Sequence, residues 1–303
     1  MIPFTGNPLD RAAERRNDAS WLRARLEDSS TIVMAMRDGK PLVRDGALAR
    51  LSIDQARKSA APHPTLSPEG RGDSSFLFLG VHDDVATFAI EMDGDADGTF
   101  EDFRAVALLL PEHDAAIAAA ARSLFEWHRR HRFCSVCGQP SQIAAAGWQR
   151  VCAACSAEHF PRVDPVVIML PLFGGRCLLG RQFAWPKGRM SALAGFVEPG
   201  ETIEEACVRE VKEEAGLLAT RITYFGSQPW PFPSSLMIGL FAEVESDAAV
   251  ADGKELEEVR WLTREEARTV LDGSHAEVLA PSTIGISRHL IHAWADQAWA
   301  HQE

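Results

Sequence analysis

The stretch Gly195-Phe196-Val197-Glu198-Pro199-Gly200-Glu201-Thr202-Ile203-Glu204-Glu205-Ala206-Cys207-Val208-Arg209-Glu210-Val211-Lys212-Glu213-Glu214-Ala215-Gly216-Leu217 reads as loop, helix and loop. Pro199-Gly200 makes a turn, Glu201 and Thr202 are first-turn and capping residue types, and Gly216 closes a helix-forming run over 203–215. At about 100° per residue, Ile203, Ala206, Cys207, Val211 and Ala215 fall on one broad apolar stripe. Glu210, Glu213 and Glu214 project into nearly the same sector, so three carboxylates are expected on the side facing the protein. A merely solvated acidic face is the ordinary alternative, but Glu204, Glu205 and Lys212 already fill the outward positions. Crowded carboxylates repel unless a cation sits among them, and carboxylate oxygens suit Mg²⁺ or Mn²⁺.

Gly195, Glu201 and Arg209-Glu210-Val211-x-Glu213-Glu214-x-Gly216-Leu217 match every fixed place of G-x5-E-x7-R-E-U-x-E-E-x-G-U, and so resemble the box of the Nudix hydrolase superfamily. The resemblance implies an α/β/α sandwich and metal-dependent hydrolysis of a nucleoside diphosphate linked to another moiety.

The 303 residues carry a net charge of −12 and are 46% hydrophobic, enough for two domains plus a small module but unsuited to gripping a long polyanion. No apolar run reaches the roughly 18 residues of a membrane span, residues 1–16 lack the order of a signal peptide, and the C-terminus is no peroxisomal address. The expectation is a cytoplasmic chain without membrane contact.

The chain divides into an N-terminal α+β domain (1–110), a linking helix (111–132), a small module (133–160) and the box domain (161–303). Strands are expected at 31–36, 42–44, 76–81, 85–91 and 104–110. Residues 57–75 are too rich in Pro, Ser and Gly to pack and read as a flexible loop. Asp93-Gly94-Asp95-Ala96-Asp97-Gly98 opens like a calcium loop, but Arg104 stands at the closing position, so a polar hairpin turn is expected. Cys134-x2-Cys137 and Cys152-x2-Cys155 form two knuckles fourteen residues apart, suited to a closed structural Zn²⁺ site. Disulfides are disfavoured in a cytoplasmic chain, and Cys177 and Cys207 lie in apolar patterns as core residues. In the box domain strands are expected at 166–172, 177–180, 190–196, 221–225, 236–244 and 259–262, with helices at 263–271 and 284–299.

Ser227-Gln228-Pro229-Trp230-Pro231-Phe232-Pro233-Ser234-Ser235 alternates prolines with two aromatics. Its prolines fix φ and remove amide donors, so the segment is stiff and cannot be a central strand. Trp230 and Phe232 then serve as stacking surfaces for a base or nicotinamide, with Gln228 or the serines bonding polar edges. A polyproline ligand for another protein is the other reading.

The order of ribbon, box and proline loop resembles the NADH pyrophosphatase branch of the Nudix superfamily. The resemblance implies hydrolysis of NAD(H) to nicotinamide mononucleotide and AMP, removal of NAD caps from RNA 5′ ends in bacterial relatives, and a homodimer. It makes Glu210, Glu214 and Glu255 metal ligands assisted by the Ala194 carbonyl, with Glu213 completing the cluster and Arg209 orienting the glutamates. Phe160 stands where relatives often carry Tyr, and Ser287 where they commonly carry Ala. A broader dinucleotide pyrophosphatase remains open as an alternative, as does a non-catalytic zinc-ribbon adaptor drawing on Arg129, Arg130, Arg132 and Arg150.

Overall fold

The computed structural model describes residues 2–59 and 76–297. It separates into two units, one of residues 4–163 with Trp230–Ser234, the other of Asp164–Pro229 and the chain from Ser235 on with residues 2–3. The first unit runs α1 (Ala19–Glu27), β1 (Ile32–Arg37), β2 (Lys40–Arg44), β3 (Ala47–Leu48), α2 (Ile53–Ser59), β4 (Leu77–His82), β5 (Val85–Glu91), β6 (Thr99–Phe100), α3 (Phe103–Val106) and α4 (Glu112–Arg130). A ribbon follows, with β7 (Ser141–Ala144), β8 (Gln149–Cys152) and β9 (Glu158–His159) in one three-stranded sheet. The second unit holds β10 (Asp164–Phe173), β11 (Arg176–Gln182), β12 (Leu193–Phe196), α5 (Ile203–Ala215), β13 (Ala219–Trp230), β14 (Ser235–Val244), β15 (Leu256–Thr263), α6 (Arg264–Asp272) and α7 (Ile286–Ala295).

Strand β10 explains the layers of the second unit. Its alternate residues point to opposite faces. Val167 and Met169 join Ala206, Cys207, Val211 and Ala215 of α5 in one core. Ile168, Leu170 and Leu172 join Val270 of α6 and Leu290, Ile291 and Trp294 of α7 in another. The result is an α/β/α sandwich with the box helix on one face. Its sheet order is β13-β14-β10-β11-β15, with β10 and β14 parallel.

The first unit repeats this order. Its β4-β5-β1-β2 corresponds to β13-β14-β10-β11, again with a parallel pair, β1 and β5, at the centre. Where the second unit inserts α5, the first has α2, with sequence Ile-Asp-Gln-Ala-Arg-Lys-Ser and no glutamate pair. Its core is nevertheless dense, with Phe78, Phe88 and Ile90 essentially inaccessible.

Three expectations change. Residues 104–110 are not a strand: Asp102 caps α3 by accepting from the Ala105 amide, and Phe103 and Val106 bury one face at helical spacing. Strand β13 continues through Ser227-Gln228-Pro229 to Trp230, because at the sheet edge a missing amide on Pro229 need not break a ladder. Arg57–Ser59 close α2, while the rest of the expected 57–75 loop lies outside the described residues; the helix expected over 284–299 is α7, which starts at Ile286 and stops at Ala295 before a turn at Asp296-Gln297.

Helix α4 is tied to the ribbon through a buried imidazole. His128 Nε2 lies 2.8 Å from the Gly147 carbonyl and must donate, so Nδ1 accepts from the Arg150 guanidinium at 3.1 Å. Arg150 also donates to the Ser141 hydroxyl and carbonyl. Burial, with Arg150 adding to it, pushes the His128 pKa down to about 3. The unfolded chain therefore binds the proton first, and stability is lost as pH falls from about 6.5 towards 3, by about 1.4 kcal/mol per unit. Compared with His128→Gln by urea unfolding, the native protein should lose about 2 kcal/mol of its advantage between pH 6.5 and 5. A difference that stays constant with pH would show that His128 is not held neutral.

Candidate active site and metal centre

Helix α5 is set by its ends. Thr202 accepts from the Glu205 amide at 3.1 Å while the Glu205 carboxylate accepts from the Thr202 amide at 2.7 Å, closing a capping box. Gly216 ends the helix in the left-handed region at φ 69°. Within this frame Glu210 and Glu214, 40° apart around the axis, are buried at 8% and 3% exposure. Glu213 is 60° off on the other side of Glu210 and lies exposed, with Ile203 also partly in solvent. Two carboxylates, not three, therefore face inward.

Arg209 organises the acidic groups. It grips Glu201 with two hydrogen bonds of 2.6 and 2.9 Å, and donates to Glu210 at 2.7 Å, Glu213 at 3.0 Å and the Phe196 carbonyl at 2.8 Å. The guanidinium, helped by the Glu198 amide, holds the Glu201 carboxyl down to about 2. Burial raises Glu210 against the pull of Arg209. Glu214 lies beyond that reach: burial first, then Glu210 and Glu255, push it up to about 8. Its Oε2 is buried without a hydrogen-bond partner, although the Ala194 amide bonds the same carboxyl.

Gly195 makes room for this arrangement. A β-carbon there would stand 1.9 Å from the Glu210 carboxyl. The exposed Glu255, near enough to raise both glutamates, sits on a turn whose amides at Glu255 and Leu256 donate to Asp252. Asp252 was not singled out by sequence, which offers no motif at that position.

The chemistry fits a divalent cation. A buried carboxylate oxygen without a partner, a second carboxylate seated against a glycine and a third on a nearby turn are hard oxygen donors, and Arg209, which pairs with Glu210, is not among the groups acting on Glu214.

In the ribbon the four cysteines meet. Cys134 and Cys155 sulfurs lie 3.6 Å apart, Cys137 and Cys152 3.5 Å, and all four fall within 4.8 Å. Four sulfurs at the Zn–S distance of a tetrahedral site would be about 3.8 Å apart, so the set fits structural zinc. Amides of Cys155 and Ala154 pull the Cys152 thiol down to about 7, and His159 Nε2 approaches Cys134 Sγ at 3.3 Å. Among the described residues these cysteines are the group of three or more such side chains drawn together so closely. No helix among them is long and apolar enough to cross a membrane.

The proline segment divides. Gln228 is fully buried, donating to the Pro3 and Ile284 carbonyls and accepting from the Ile286 amide, so it ties β13 to the start of α7 rather than offering a free donor. Ser287 is equally spent, its hydroxyl bonding Ser191 Oγ and the Ala192 amide at 2.8 Å each. Pro229 is exposed, Pro231 buried, and Pro233, Ser234 and Ser235 half-buried. Trp230 and Phe232 pack edge to face 5.1 Å apart, joined by Phe4 and Phe103, with the Arg104 guanidinium 3.8 Å from the Phe232 ring centre. Phe160 is 61% exposed beyond the ribbon.

Comparison with known proteins agrees with this architecture. The NUDIX domain model matches residues 162–281, the NADH pyrophosphatase zinc ribbon domain 129–160, and the NADH pyrophosphatase-like rudimentary NUDIX domain 30–127. The chain belongs to the Nudix family, in the branch with the NADH pyrophosphatase zinc ribbon. It is 35% identical over 343 aligned positions to the NAD-capped RNA hydrolase NUDT12 of Macaca fascicularis, covering 96% of this chain and 72% of that one. It is 40% identical over 212 positions to the NAD-capped RNA hydrolase NudC of Mycobacterium bovis (strain BCG / Pasteur 1173P2), covering 67% of each.

Gly195→Ala should displace the Glu210 carboxyl, the flexible end of the contact, and leave the strand in place. We expect Mn²⁺ binding to weaken at least tenfold by titration while the unfolding midpoint moves little. Unchanged Mn²⁺ affinity would mean that Glu210 is not a ligand.

Proposed function

We propose that the protein hydrolyses the pyrophosphate of NAD(H) to nicotinamide mononucleotide and AMP, and that the same bond cleavage removes NAD caps from RNA 5′ ends. The observation that carries the reading is the partnerless buried oxygen of Glu214 beside Glu210 and Gly195, in a chain that also presents two rings on a proline turn. Glu210, Glu214 and Glu255, with the Ala194 carbonyl, would hold Mg²⁺ or Mn²⁺. Bound there, the cation supplies charge neutralisation of the pyrophosphate and an activated water for in-line attack on phosphorus.

The residues of the chain do the rest. Arg209 and Glu201 keep Glu210 in place, and exposed Glu213 completes the acidic cluster from the solvent side. Phe160, Trp230 and Phe232 would meet the base or nicotinamide, with Pro229, Pro231, Pro233, Ser234 and Ser235 shaping that contact. Ser287 and Gln228 act through the backbone they fix. We place the enzyme in the cytoplasm as a homodimer, for which light scattering should give about twice the 33.2 kDa chain mass.

The decisive assay follows products from NADH, NAD⁺, ADP-ribose, diadenosine polyphosphates and NAD-capped RNA. Preferential release of nicotinamide mononucleotide from NADH or capped RNA is expected, whereas equal rates on all would define a broad dinucleotide pyrophosphatase. Glu214→Gln should slow the chemical step roughly a hundredfold, the loss of several kcal/mol of charge stabilisation. Glu204→Gln, exposed on the same helix and outside the capping box, should stay within about twofold. Equal rates for the two variants at saturating Mn²⁺ would remove the box helix from the mechanism.

A further inference from the structure

The turn Trp230–Ser234 has little means of holding its own shape. Pro231 and Pro233 lack amide donors, and within the turn the Phe232 amide donates to the Trp230 carbonyl at 2.8 Å. The carbonyls of Pro231 and Pro233 must find partners elsewhere. Both find them on adjacent residues in the middle of α4. Arg122 donates to the Pro231 carbonyl and, through Nε at 3.1 Å, to the Gly39 carbonyl, while its guanidinium lies 4.7 Å from the Phe232 ring centre. The Ser123 hydroxyl donates to the Pro233 carbonyl at 3.2 Å.

Arg122 is half-buried, and it donates to the Gly39 and Pro231 carbonyls rather than to a carboxylate. Its surroundings are cationic, with Arg104, Arg129 and Arg130 near and Asp102 the acid that offsets them. A lysine could not reproduce the contact: one planar fork bridges two backbone oxygens and lies over a ring at once, whereas an ammonium is a point donor. The same helix is anchored one and a half turns later by His128 to the ribbon, so the turn is braced on an element fixed at both places.

We infer that Arg122, seconded by Ser123, is a positioning residue that fixes Trp230 and Phe232 in the orientation needed to stack on the substrate's base or nicotinamide. The inference rests on the proposed function, in which those rings meet the substrate. A preformed stacking surface spares the ordering cost at binding, so its loss should appear in substrate affinity more than in the chemical step.

The test measures KM and kcat for NADH with full-length, zinc-loaded protein. Arg122→Ala is expected to raise KM about tenfold with kcat within threefold, and Arg122→Lys to recover less than half of that effect on a logarithmic scale. Ser123→Ala, a milder change, should raise KM two- to fivefold, and it decides the matter if Arg122→Ala does not fold. Adding Ser123→Ala to the double variant Trp230→Ala/Phe232→Ala should raise KM no further, because a brace has no further effect once both rings are gone; additive effects would overturn the inference. Full rescue by Arg122→Lys with a steep salt dependence would also overturn it, by showing that the charge itself contacts a phosphate. If Trp230→Ala and Phe232→Ala leave KM unchanged, the stacking role in the proposed function is what fails; if they raise KM while Arg122→Ala and Ser123→Ala do not, positioning alone fails.

Discussion

Everything at the candidate site depends on keeping two carboxylates inside the protein, four residues apart on one helix. Arg209 makes this tolerable for Glu210, because one guanidinium joins the loop at Glu201, the strand at Phe196 and the helix at Glu210 and Glu213. It does not extend to Glu214. That group keeps the cost of burial and of its acidic neighbours, a cost that the divalent cation proposed above would offset. Gly195 completes the constraint from the opposite side, since any side chain there would occupy the volume of the Glu210 carboxyl.

The two units show how one sheet order can serve two ends. Both have a central parallel pair flanked in the same sequence, and both bury dense apolar layers. The candidate site lies where α5 is inserted, because there, among the described residues, a capped helix and a glycine-bearing strand bring acidic groups together. The first unit contributes differently, through α4, which meets the ribbon at His128 and the proline turn at Arg122 and Ser123. Stiffness from proline does not suffice to orient that turn. Removing amides also removes the turn's own hydrogen bonds, so its orientation has to be supplied by a neighbouring helix.

The sequence alone determined the box helix with its two caps, the four-cysteine module and the exclusion of the proline segment from a central strand, while the sandwich followed from the family resemblance. The first three rest on local spacing and on residue chemistry that neighbours do not alter: an apolar stripe at helical spacing, a C-x2-C pair, a missing amide. Tertiary structure decided the rest. Whether Glu213 or Glu214 turned inward depended on where β12 lay against α5, since helical spacing alone left both within the same broad sector. Whether 104–110 became strand or helix depended on Asp102 capping and on a core that received Phe103 and Val106 together. Gln228 and Ser287 carried polar groups suited to a ligand, and only the fold showed those groups consumed by Ile284, Ile286, Ser191 and Ala192, residues distant in sequence. A side chain's chemistry is written in the sequence, but which partner satisfies it is a long-range fact, fixed when the chain closes on itself.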